Sequence, residues 1–432
     1  MPYEHVGSAP RRVAVIGGGI SGMGAAHMLA DTNTVVLFEA NTRLGGHART
    51  KTAGKRGDQA VDTGFIVFNY VNYPHLTALF DKLDVPVTKS DMSFAASIDG
   101  GWLEYSLRNT DALFAQRRNI LRPGFIGMLR DVLKFFKHAE VAAQDPDLTI
   151  GDMMDNLGLG RWFCDYYLTP FTGAIWSTPC EKALDFPAQA LVQFFRNHGL
   201  LSTDGQHQWY TVHGGSIEYV RRLTTKMESQ GVDLRIGTAI QSVRRTSIGV
   251  EVKAWGSEWE LFDDVVFATH SDQALALLSD ASSEEHNALD AVKYQPNDVV
   301  LHSDTRLMPQ RRKCWSSWNY TELKGQKNDR IDLTYWMNCL QPIPQDDLMF
   351  VTLNNTSNIR EDLIYDQTVL HHPVYDGAAL QAQKEITAMN GTNNTWFCGA
   401  WMKNGFHEDG LSSAVDVANG ILDAQTGRIA AK

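Results

Sequence analysis

A cluster of glycines near the N-terminus has the spacing needed to bind the pyrophosphate of a dinucleotide. Gly17, Gly19 and Gly22 follow a short apolar segment, 12–15, and fit the pattern G-x-G-x-x-G. The first glycine permits a tight turn, the second lets a phosphate approach the backbone, and the third allows close packing of a helix. Glu39 follows 22 positions after Gly17, where a carboxylate can bind a ribose hydroxyl.

Two strands and the helix between them must hold these residues in place. The sequence predicts a buried strand over 12–15, a helix over about 20–31 and a second strand over 34–38. The helix would direct the positive end of its dipole at the phosphates. The alternative is a glycine-rich turn without a ligand, but the flanking elements and the acid argue against it.

The segment 39–50 resembles the second fingerprint of the flavoprotein amine oxidase and phytoene desaturase superfamily. In that fingerprint an acid is followed by R-x-G-G and then a threonine, here Arg43, Gly45, Gly46 and a later threonine. The resemblance implies that the arginine and the two glycines lie along the phosphates of FAD and the flavin edge. Residues 61–64 resemble the next flavin-side strand. Taken alone, the glycine pair is also typical of a surface turn, but the preceding glycine motif argues against that alternative.

The C-terminal region resembles the other half of the same flavin site. Residues 395–400 are predicted to form a buried strand, and a helix follows, beginning within 405–414 and running to about Ala424. The resemblance implies that the start of this helix faces the pyrimidine side of the flavin. Ala400 stands where the superfamily usually has an acid that binds the ribitol, so that contact is in doubt. Residues 407–409 lack the spacing of metal ligands, and we expect no metal.

FAD is therefore the implied cofactor. Its expected contacts are Gly17, Gly19, Ile20, Ser21, Gly22, Glu39, Ala40, Arg43, Leu44, Gly45, Gly46, His47, Thr63, Gly64, Phe65, Gly399, His407, Glu408, Asp409, Gly410 and Leu411.

The two flavin motifs lie at opposite ends of the chain, so one sheet must be completed by both ends. We expect an α/β fold with α+β insertions. A Rossmann-type FAD domain (1–75, 210–280 and 390–432) would be interleaved with a substrate domain (76–209 and 281–389). β-branched and aromatic segments in the second insertion predict that the substrate domain has a mostly antiparallel sheet together with helices.

Composition narrows the class of protein. The 432 residues are 43% hydrophobic and 21% charged, as in an ordinary globular protein. A net charge of -11 argues against a general nucleic-acid binder. Five scattered cysteines without C-x-x-C predict reduced thiols in a cytoplasmic protein, and no apolar stretch is long enough to span a membrane. The oligomeric state is left open.

Longer stretches resemble a bacterial subgroup of predicted NAD/FAD-binding proteins associated with enzymes that methylate or cyclopropanate phospholipid acyl chains. These stretches are 62–69, 90–94, 173–177, 317–320, 334–338 and 405–410. The resemblance implies a fatty acyl desaturase-like enzyme that acts on a methyl-branched or otherwise modified unsaturated acyl chain of a phospholipid. It would dehydrogenate this lipid by hydride transfer to flavin N5.

Three other functions stay open: a flavin amine oxidase for a small or polyamine substrate, another flavin oxidation or isomerisation, and a non-enzymatic role as a flavin-stabilised lipid carrier or partner subunit. Phe406 matches one of the aromatic positions that amine oxidases place beside the flavin.

Candidate catalytic and substrate-binding residues follow from residue type. His302, His372 and Glu104 are candidates for the base that removes a proton, although a histidine in an apolar strand is more often a satisfied core residue. Aromatic residues could form an apolar substrate pocket or simply belong to the core. These are Trp176, Trp318, Tyr320, Tyr335, Trp336 and Phe406.

The region 106–140 is basic in an acidic protein. Within it, apolar residues recur at helical spacing over 125–136, and Arg130, Lys134 and Lys137 cluster beside them. Such a helix could lie with its apolar side on an anionic bilayer, which would put the protein at the inner membrane surface. The alternative is a domain helix whose apolar face packs in the core.

Overall fold

A computed structural model describes residues 10–145, 147–176, 184–197, 200–201, 207–325, 332–354 and 358–430. The strands of this part, β1 to β20 in chain order, are Arg12–Ile16, Thr34–Glu39, Thr50–Ala53, Gln59–Asp62, Val67–Phe68, Val87–Ser90, Phe94–Ile98, Leu103–Ser106, Trp209–Val212, Asp233–Ile236, Ile240–Thr246, Gly249–Ala254, Trp259–Phe262, Asp264–Phe267, Lys293–His302, Trp318–Thr321, Leu333–Trp336, Phe350–Leu353, Ile364–Val374 and Thr395–Phe397.

The α-helices of the same part, α1 to α14, are Ile20–Leu29, Pro74–Lys82, Thr110–Leu113, Pro123–Ala142, Ile150–Leu157, Arg161–Phe163, Thr169–Trp176, Ala188–Asn197, Ile217–Ser229, Ser271–Leu277, Ser283–Ala291, Met337–Leu340, Gly377–Met389 and His407–Ala430. A π-helical turn, Cys164–Leu168, joins α6 to α7.

A five-stranded parallel sheet carries the glycine motif. Its spatial order is β10, β2, β1, β14 and β20, so its strands come from both ends and the middle of the chain. The side chains of its central strand, β1, point alternately into hydrophobic cores on the two opposite faces of the sheet. Val13 and Val15 pack with α1, α9 and α14, whereas Ala14 and Ile16 face the three-stranded sheet β11–β12–β13. Burial on both faces is what a parallel sheet requires, and it explains the continuous apolar sequence of β1.

A seven-stranded sheet is the main sheet of the other half of the fold, outside the parallel sheet. Its order is β19, β15, β18, β17, β16, β7 and β8, and every neighbouring pair is antiparallel except β16 with β7. Its apolar face packs against α4, α5 and α8 in one large core. Two smaller sheets, β3–β4 and β5–β9–β6, lie among the segments that join the two halves.

The predicted fold class is confirmed: an α/β half with a parallel sheet accompanies a mostly antiparallel sheet with helices. The domain boundaries stay a prediction. The four described cysteines, Cys164, Cys314, Cys339 and Cys398, are free thiols. Among the described helices, none has both the length and the apolar character needed to cross a bilayer.

The predicted lipid-facing side of the basic helix needs correction. In α4 the side chains Phe125, Val132 and Phe135 are buried in the large core, together with Met128 and Ala139. The core alternative is therefore right for these buried positions, whereas Ile126 and Leu133, which belong to the same predicted apolar set, are exposed. A different side of α4 points to solvent.

Candidate active site at the glycine turn

The glycine turn creates a stretch of backbone without side chains. A Cβ built on Gly19 would have one neighbour within 4 Å, the Cα of Gly46, at 4.0 Å. The Gly45 amide donates to the Gly18 carbonyl at 2.7 Å, which holds the second glycine loop beside the first. Gly19 also precedes the first turn of α1, whose free amides favour an anion. This concave backbone surface, which we call the cradle, fits a pyrophosphate.

The packing of α1 depends on Gly22. A Cβ at Gly22 would collide with the carbonyl oxygen of Gly17, so the helix can lie this close to the turn only without a side chain there. This is the role that the sequence pattern predicts for the third glycine.

The two charged residues of the motif both bind backbone groups. Glu39 accepts hydrogen bonds from the amides of Gly18, at 2.6 Å, and Asn41, at 2.7 Å. Arg43 donates through Nη2 to the Gly46 carbonyl at 2.8 Å. These bonds order both glycine loops. The predicted contacts of Glu39 with ribose and of Arg43 with phosphate stay predictions.

The segment after β4 is attached to the end of the second glycine loop. Thr63 donates its amide to the Arg49 carbonyl at 2.8 Å, and Phe65 donates to the His47 carbonyl at 3.0 Å. A Cβ on Gly64 would collide with that same His47 oxygen. The predicted flavin-side residues of 47 and 63–65 therefore lie together.

The start of α14 meets this segment from the other end of the chain. The ring of His407 stacks on Phe65 with centroids 4.0 Å apart, and its Nε2 lies 2.7 Å from the Tyr219 hydroxyl. Burial lowers the pKa of His407 to about 3, so the ring is neutral. A Cβ on Gly410 would lie 2.9 Å from Ser21 Oγ, which places the first turns of α14 and α1 side by side.

The remaining predicted cofactor residues frame the cradle in different ways. Ile20, Leu44 and Leu411 are buried apolar side chains, Ala40 is exposed, and Gly399 donates its amide to Ser413 Oγ at 2.9 Å.

Three histidines come together next to the cradle. The His47 ring centroid lies 6.0 Å from that of His270 and 5.8 Å from that of His372. Burial lowers the pKa of His270 to about 3 and that of His372 to about 4. Asn297 Nδ2 lies 3.3 Å from His372 Nδ1. Sequence reasoning missed His270, although it follows β14, and the carboxyl end of a parallel strand is a frequent ligand site.

The other two candidate bases have structural partners. His302 accepts the Asp304 amide at Nδ1, at 3.1 Å, so Nε2 carries the proton that it donates to Thr352, at 2.7 Å. The Glu104 carboxylate is fully buried and binds the side chain and backbone amide of Arg311. These contacts make His302 a satisfied core histidine and Glu104 an anchor for the segment at Arg311.

A buried carboxylate that the sequence did not single out as catalytic joins several segments below the cradle. Asp62 accepts hydrogen bonds from Thr50 Oγ1 at 2.5 Å, from the amide and hydroxyl of Ser216, and from Gln341 Nε2 at 2.9 Å. Burial raises its pKa to about 6. Asp62 therefore connects β3, the start of α9 and the loop after α12.

The side chain of Glu408 serves as a helix cap. Its two carboxylate oxygens accept the amides of His75 and Leu76, both at 2.9 Å. These amides are in the first turn of α2, and the N-cap residue of α2, Tyr73, makes no side-chain capping bond. Any flavin contact of Glu408 would thus come from its backbone, since the carboxylate already fixes α2 to α14.

We expect Glu408→Ala to lower the free energy of unfolding by about 1–2 kcal/mol, because two helix-terminal amides lose their acceptor. Chemical denaturation of the flavin-loaded protein measures this change. Glu228→Ala, which removes an exposed glutamate from α9, is the matched control and should change little. Equal stability of the two variants would contradict the cap.

The predicted pocket aromatics divide into two groups. Trp318 and Tyr335 are paired across β16 and β17 with ring centroids 5.2 Å apart, and both are partly buried. Tyr320 is buried and its hydroxyl binds Glu322, while Trp336 packs in a separate small cluster. Trp176 ends α7, and its side chain lies outside the described residues. The first pair and Phe406 have the partial exposure expected of a pocket lining.

Phe406 stands at the turn before α14. Its amide donates to Asp409 Oδ2 at 2.9 Å, and burial raises the pKa of Asp409 to about 6. A Cβ on the preceding residue, Gly405, would lie 2.7 Å from the Tyr375 hydroxyl. Tyr375 is therefore an aromatic neighbour of this turn that sequence reasoning did not find.

Comparisons with known proteins agree with this geometry. The family model of flavin containing amine oxidoreductases matches residues 20–328. No curated protein sequence matches this chain. The solved structure of a CLA-producing fatty acid isomerase from P. acnes is similar, with a TM-score of 0.70 at 14% identity over 95% of this chain and 99% of that one.

Two amine oxidases have a similar fold. Wild-type putrescine oxidase bound to putrescine gives a TM-score of 0.67 at 14% identity, over 96% of this chain and 99% of that one. Cyclohexylamine oxidase from Brevibacterium oxydans gives 0.66 at 12% identity, over 95% and 99%. At these identities the similarities establish the fold.

Proposed function

Because this chain belongs to the family of flavin-containing amine oxidoreductases, we propose that it desaturates a modified, unsaturated fatty acyl chain of a phospholipid. The chain is an FAD-dependent oxidoreductase with the family's mixed α/β fold. A methyl-branched acyl chain is the substrate that the sequence resemblance favours.

The residues present fit FAD. The cradle between Gly19 and Gly46 is open backbone next to the start of α1, and the first turn of α14 lies beside it. When bound, FAD supplies the acceptor for the two electrons and one hydrogen that leave a saturated C–C bond. The protein's own tasks are to hold the acyl chain, exclude water and receive the remaining proton.

The observation that supports the proposal is a set of partly buried apolar side chains on the large core of the antiparallel half. Trp318, Tyr335, Ile66 and Leu370 are partly buried side chains packed on the large core of the antiparallel half. Leu370 lies two residues before His372 on the same face of β19. Ile66 follows Phe65, which lies against His407. A partly exposed apolar surface of this kind suits an alkyl chain.

The acids around the cradle support a neutral substrate more than a cationic one. Asp62 is bound by Thr50, Ser216 and Gln341, Glu408 caps α2, and Glu39 binds two backbone amides. An ammonium ion would have to compete with these donors. A hydrocarbon chain carries no charge and needs none of these carboxylates as a partner.

Of the three predicted bases, His372 is the one beside the cradle, through its contact with His47. We expect His372→Asn to lower kcat for the lipid about a hundredfold, because a neutral imidazole that receives the proton is lost. Turnover of the flavin-loaded variant at saturating lipid measures this. His302→Asn is the matched control. It should lower the melting temperature and leave kcat within about twofold. If His302→Asn instead lowers kcat and His372→Asn lowers only the melting temperature, His302 is the proton acceptor and His372 the core residue.

The proposed reaction is tested by mixing FAD-loaded protein anaerobically with phospholipid vesicles that carry unsaturated, methyl-branched chains. We expect the visible flavin absorbance to fall and one new double bond to appear in the extracted lipid. A moved double bond with an oxidised flavin would instead indicate isomerisation. Lipid that binds with no change in either lipid or flavin would indicate a carrier.

Amine oxidation is the second candidate, and the turn at Phe406 favours it. Tyr375 lies against Gly405, so two aromatic residues adjoin the start of α14, and paired aromatic rings commonly frame an amine beside a flavin. A flavin that keeps its absorbance with lipid but loses it with putrescine or cyclohexylamine would replace the first proposal with this one.

A further inference from the structure

The solvent-facing side of α4 combines apolar and basic side chains. Ile126, Arg130, Leu133, Lys137 and Val141 follow one another at intervals of three or four residues, so they share one face. All five are exposed, and the buried face that contains Phe125 and Phe135 is on the opposite side.

The short 3₁₀ segment before α4 extends the same mixture. Within Arg117–Leu121, the side chain of Leu121 is 85% exposed and that of Ile120 is 50% exposed. On α4, Leu133 is 55% and Val141 is 70% exposed. Large aliphatic side chains with this much exposure are unfavourable in water. Covering them with another apolar surface removes that cost.

The charge of this surface is opposite to that of the whole protein. Residues 117–141 contain six lysines and arginines but two acids, whereas the chain as a whole carries -11. Arg118 and Arg122 both donate to the Trp102 carbonyl, at 2.8 and 3.0 Å, so they are held in place. The Arg122 guanidinium also lies 4.5 Å from the Trp102 ring centre.

Trp102 adds an aromatic edge to the surface. It is 37% exposed, and its ring lies 5.6 Å from that of Trp162. Tryptophan is enriched at membrane–water interfaces, where its ring is at the level of the lipid headgroups. Tryptophan and arginine side chains thus lie together at the N-terminal end of α4, next to the segment that holds Ile120 and Leu121.

We propose that this surface, formed by Trp102, 117–122 and the outer face of α4, docks on an anionic phospholipid bilayer. The lysines and arginines would attract the headgroups, and the aliphatic tips of Leu121 and Leu133 would enter the headgroup–acyl boundary. Phosphate groups alone, as in a nucleic acid, would leave these tips exposed. That such a lipid is also the substrate rests on the proposed function, although the binding itself does not.

The experiment is co-sedimentation of the full-length, FAD-loaded protein with vesicles of phosphatidylcholine, with and without phosphatidylserine. We expect binding to the anionic vesicles that weakens with salt, and little binding to the neutral ones. Arg130→Glu/Lys134→Glu/Lys137→Glu should lose at least a hundredfold in apparent affinity. Lys82→Glu/Lys226→Glu/Lys384→Glu makes the same charge change at exposed positions elsewhere and should bind like the unmodified protein.

A second pair of variants tests the apolar part. Leu121→Ser/Leu133→Ser should lose about tenfold, and Ile236→Ser/Ile248→Ser, which removes two exposed isoleucines elsewhere, should lose none. Equal effects of the charge-reversal triple and its control would overturn the proposal. So would binding that depends on charge but not on Leu121 and Leu133, which would indicate a polyanion instead.

Turnover of detergent-dispersed lipid separates this inference from the proposed reaction. The charge-reversal variant should retain that turnover while it loses vesicle binding. A protein that binds anionic vesicles but turns over no lipid would retain the docking surface and lose the proposed reaction.

Discussion

Replacing Gly19 with valine is expected to abolish FAD binding while the protein stays folded. A Cβ at this position would meet only the Gly46 Cα, at 4.0 Å, so the protein itself has room for a side chain. The backbone of Gly19 is extended, with φ of -76°, which valine can adopt. The space that valine would fill is the space where the pyrophosphate approaches the turn. We expect flavin absorbance per protein after gel filtration to fall to background, with a native circular dichroism spectrum.

Two further glycines distinguish this effect from general damage. Gly377→Val adds the same side chain at a position with nothing within 4 Å and should retain full flavin content. Gly22→Ala would instead collide with the Gly17 carbonyl oxygen, so it should lower both flavin content and stability. Gly19→Val protein that retains its flavin would place the pyrophosphate somewhere other than the cradle.

The cradle could be predicted from the sequence because its parts are close along the chain. The strand–glycine–helix unit forms at Arg12–Ile16 and Ile20–Leu29, within two residues of the prediction, and β2 ends on Glu39. Local propensity, the required turn and the hydrogen bonds of parallel strands all favour the same arrangement here.

Residues whose roles depend on distant partners could not be predicted in the same way. Glu408 was expected among the cofactor contacts, but its carboxylate binds amides 332 and 333 positions away in α2. His302 and Glu104 have the residue types of a base, but the structure supplies each with buried partners. Residue type gives the chemistry that a side chain can do, and only the tertiary contacts decide whether it is free to do it.

Helical periodicity identified α4 but not the environment of its apolar side. An apolar face at helical spacing suits a protein core and a bilayer equally well. Phe125 and Phe135 pack in the core because the antiparallel sheet offers an apolar surface. Ile126 and Leu133, which helical spacing grouped with the core residues, are exposed on the other side of α4 together with Val141, so spacing alone did not separate the two faces.

Replacing Asp62 with alanine is expected to cost about 3–5 kcal/mol in the free energy of unfolding at neutral pH. The variant leaves the hydroxyl of Thr50, the amide and hydroxyl of Ser216 and the side-chain amide of Gln341 without their common acceptor in a buried site. Three separate segments would lose their connection at once. Chemical denaturation followed by fluorescence measures the change.

Asp58→Ala is the matched control, since Asp58 precedes the same strand, is exposed, and binds Arg56 and Gln59 at the surface. It should change the unfolding free energy by less than about 1 kcal/mol. A loss as small as this in Asp62→Ala would mean that the segments at Thr50, Ser216 and Gln341 are held by other contacts.

The pH dependence of the Asp62 contribution provides an independent check. Burial raises its pKa from 3.8 to about 6, so between these values the folded protein binds the proton more tightly than the unfolded chain does. The contribution of Asp62 to stability is therefore complete below the lower value and declines as the pH rises through the upper one. The stability difference between the unmodified protein and Asp62→Ala should shrink by about 1.4 kcal/mol per pH unit over this interval. A difference that grows with pH would mean that the hydrogen bonds from Thr50, Ser216 and Gln341 outweigh the cost of burying the charge.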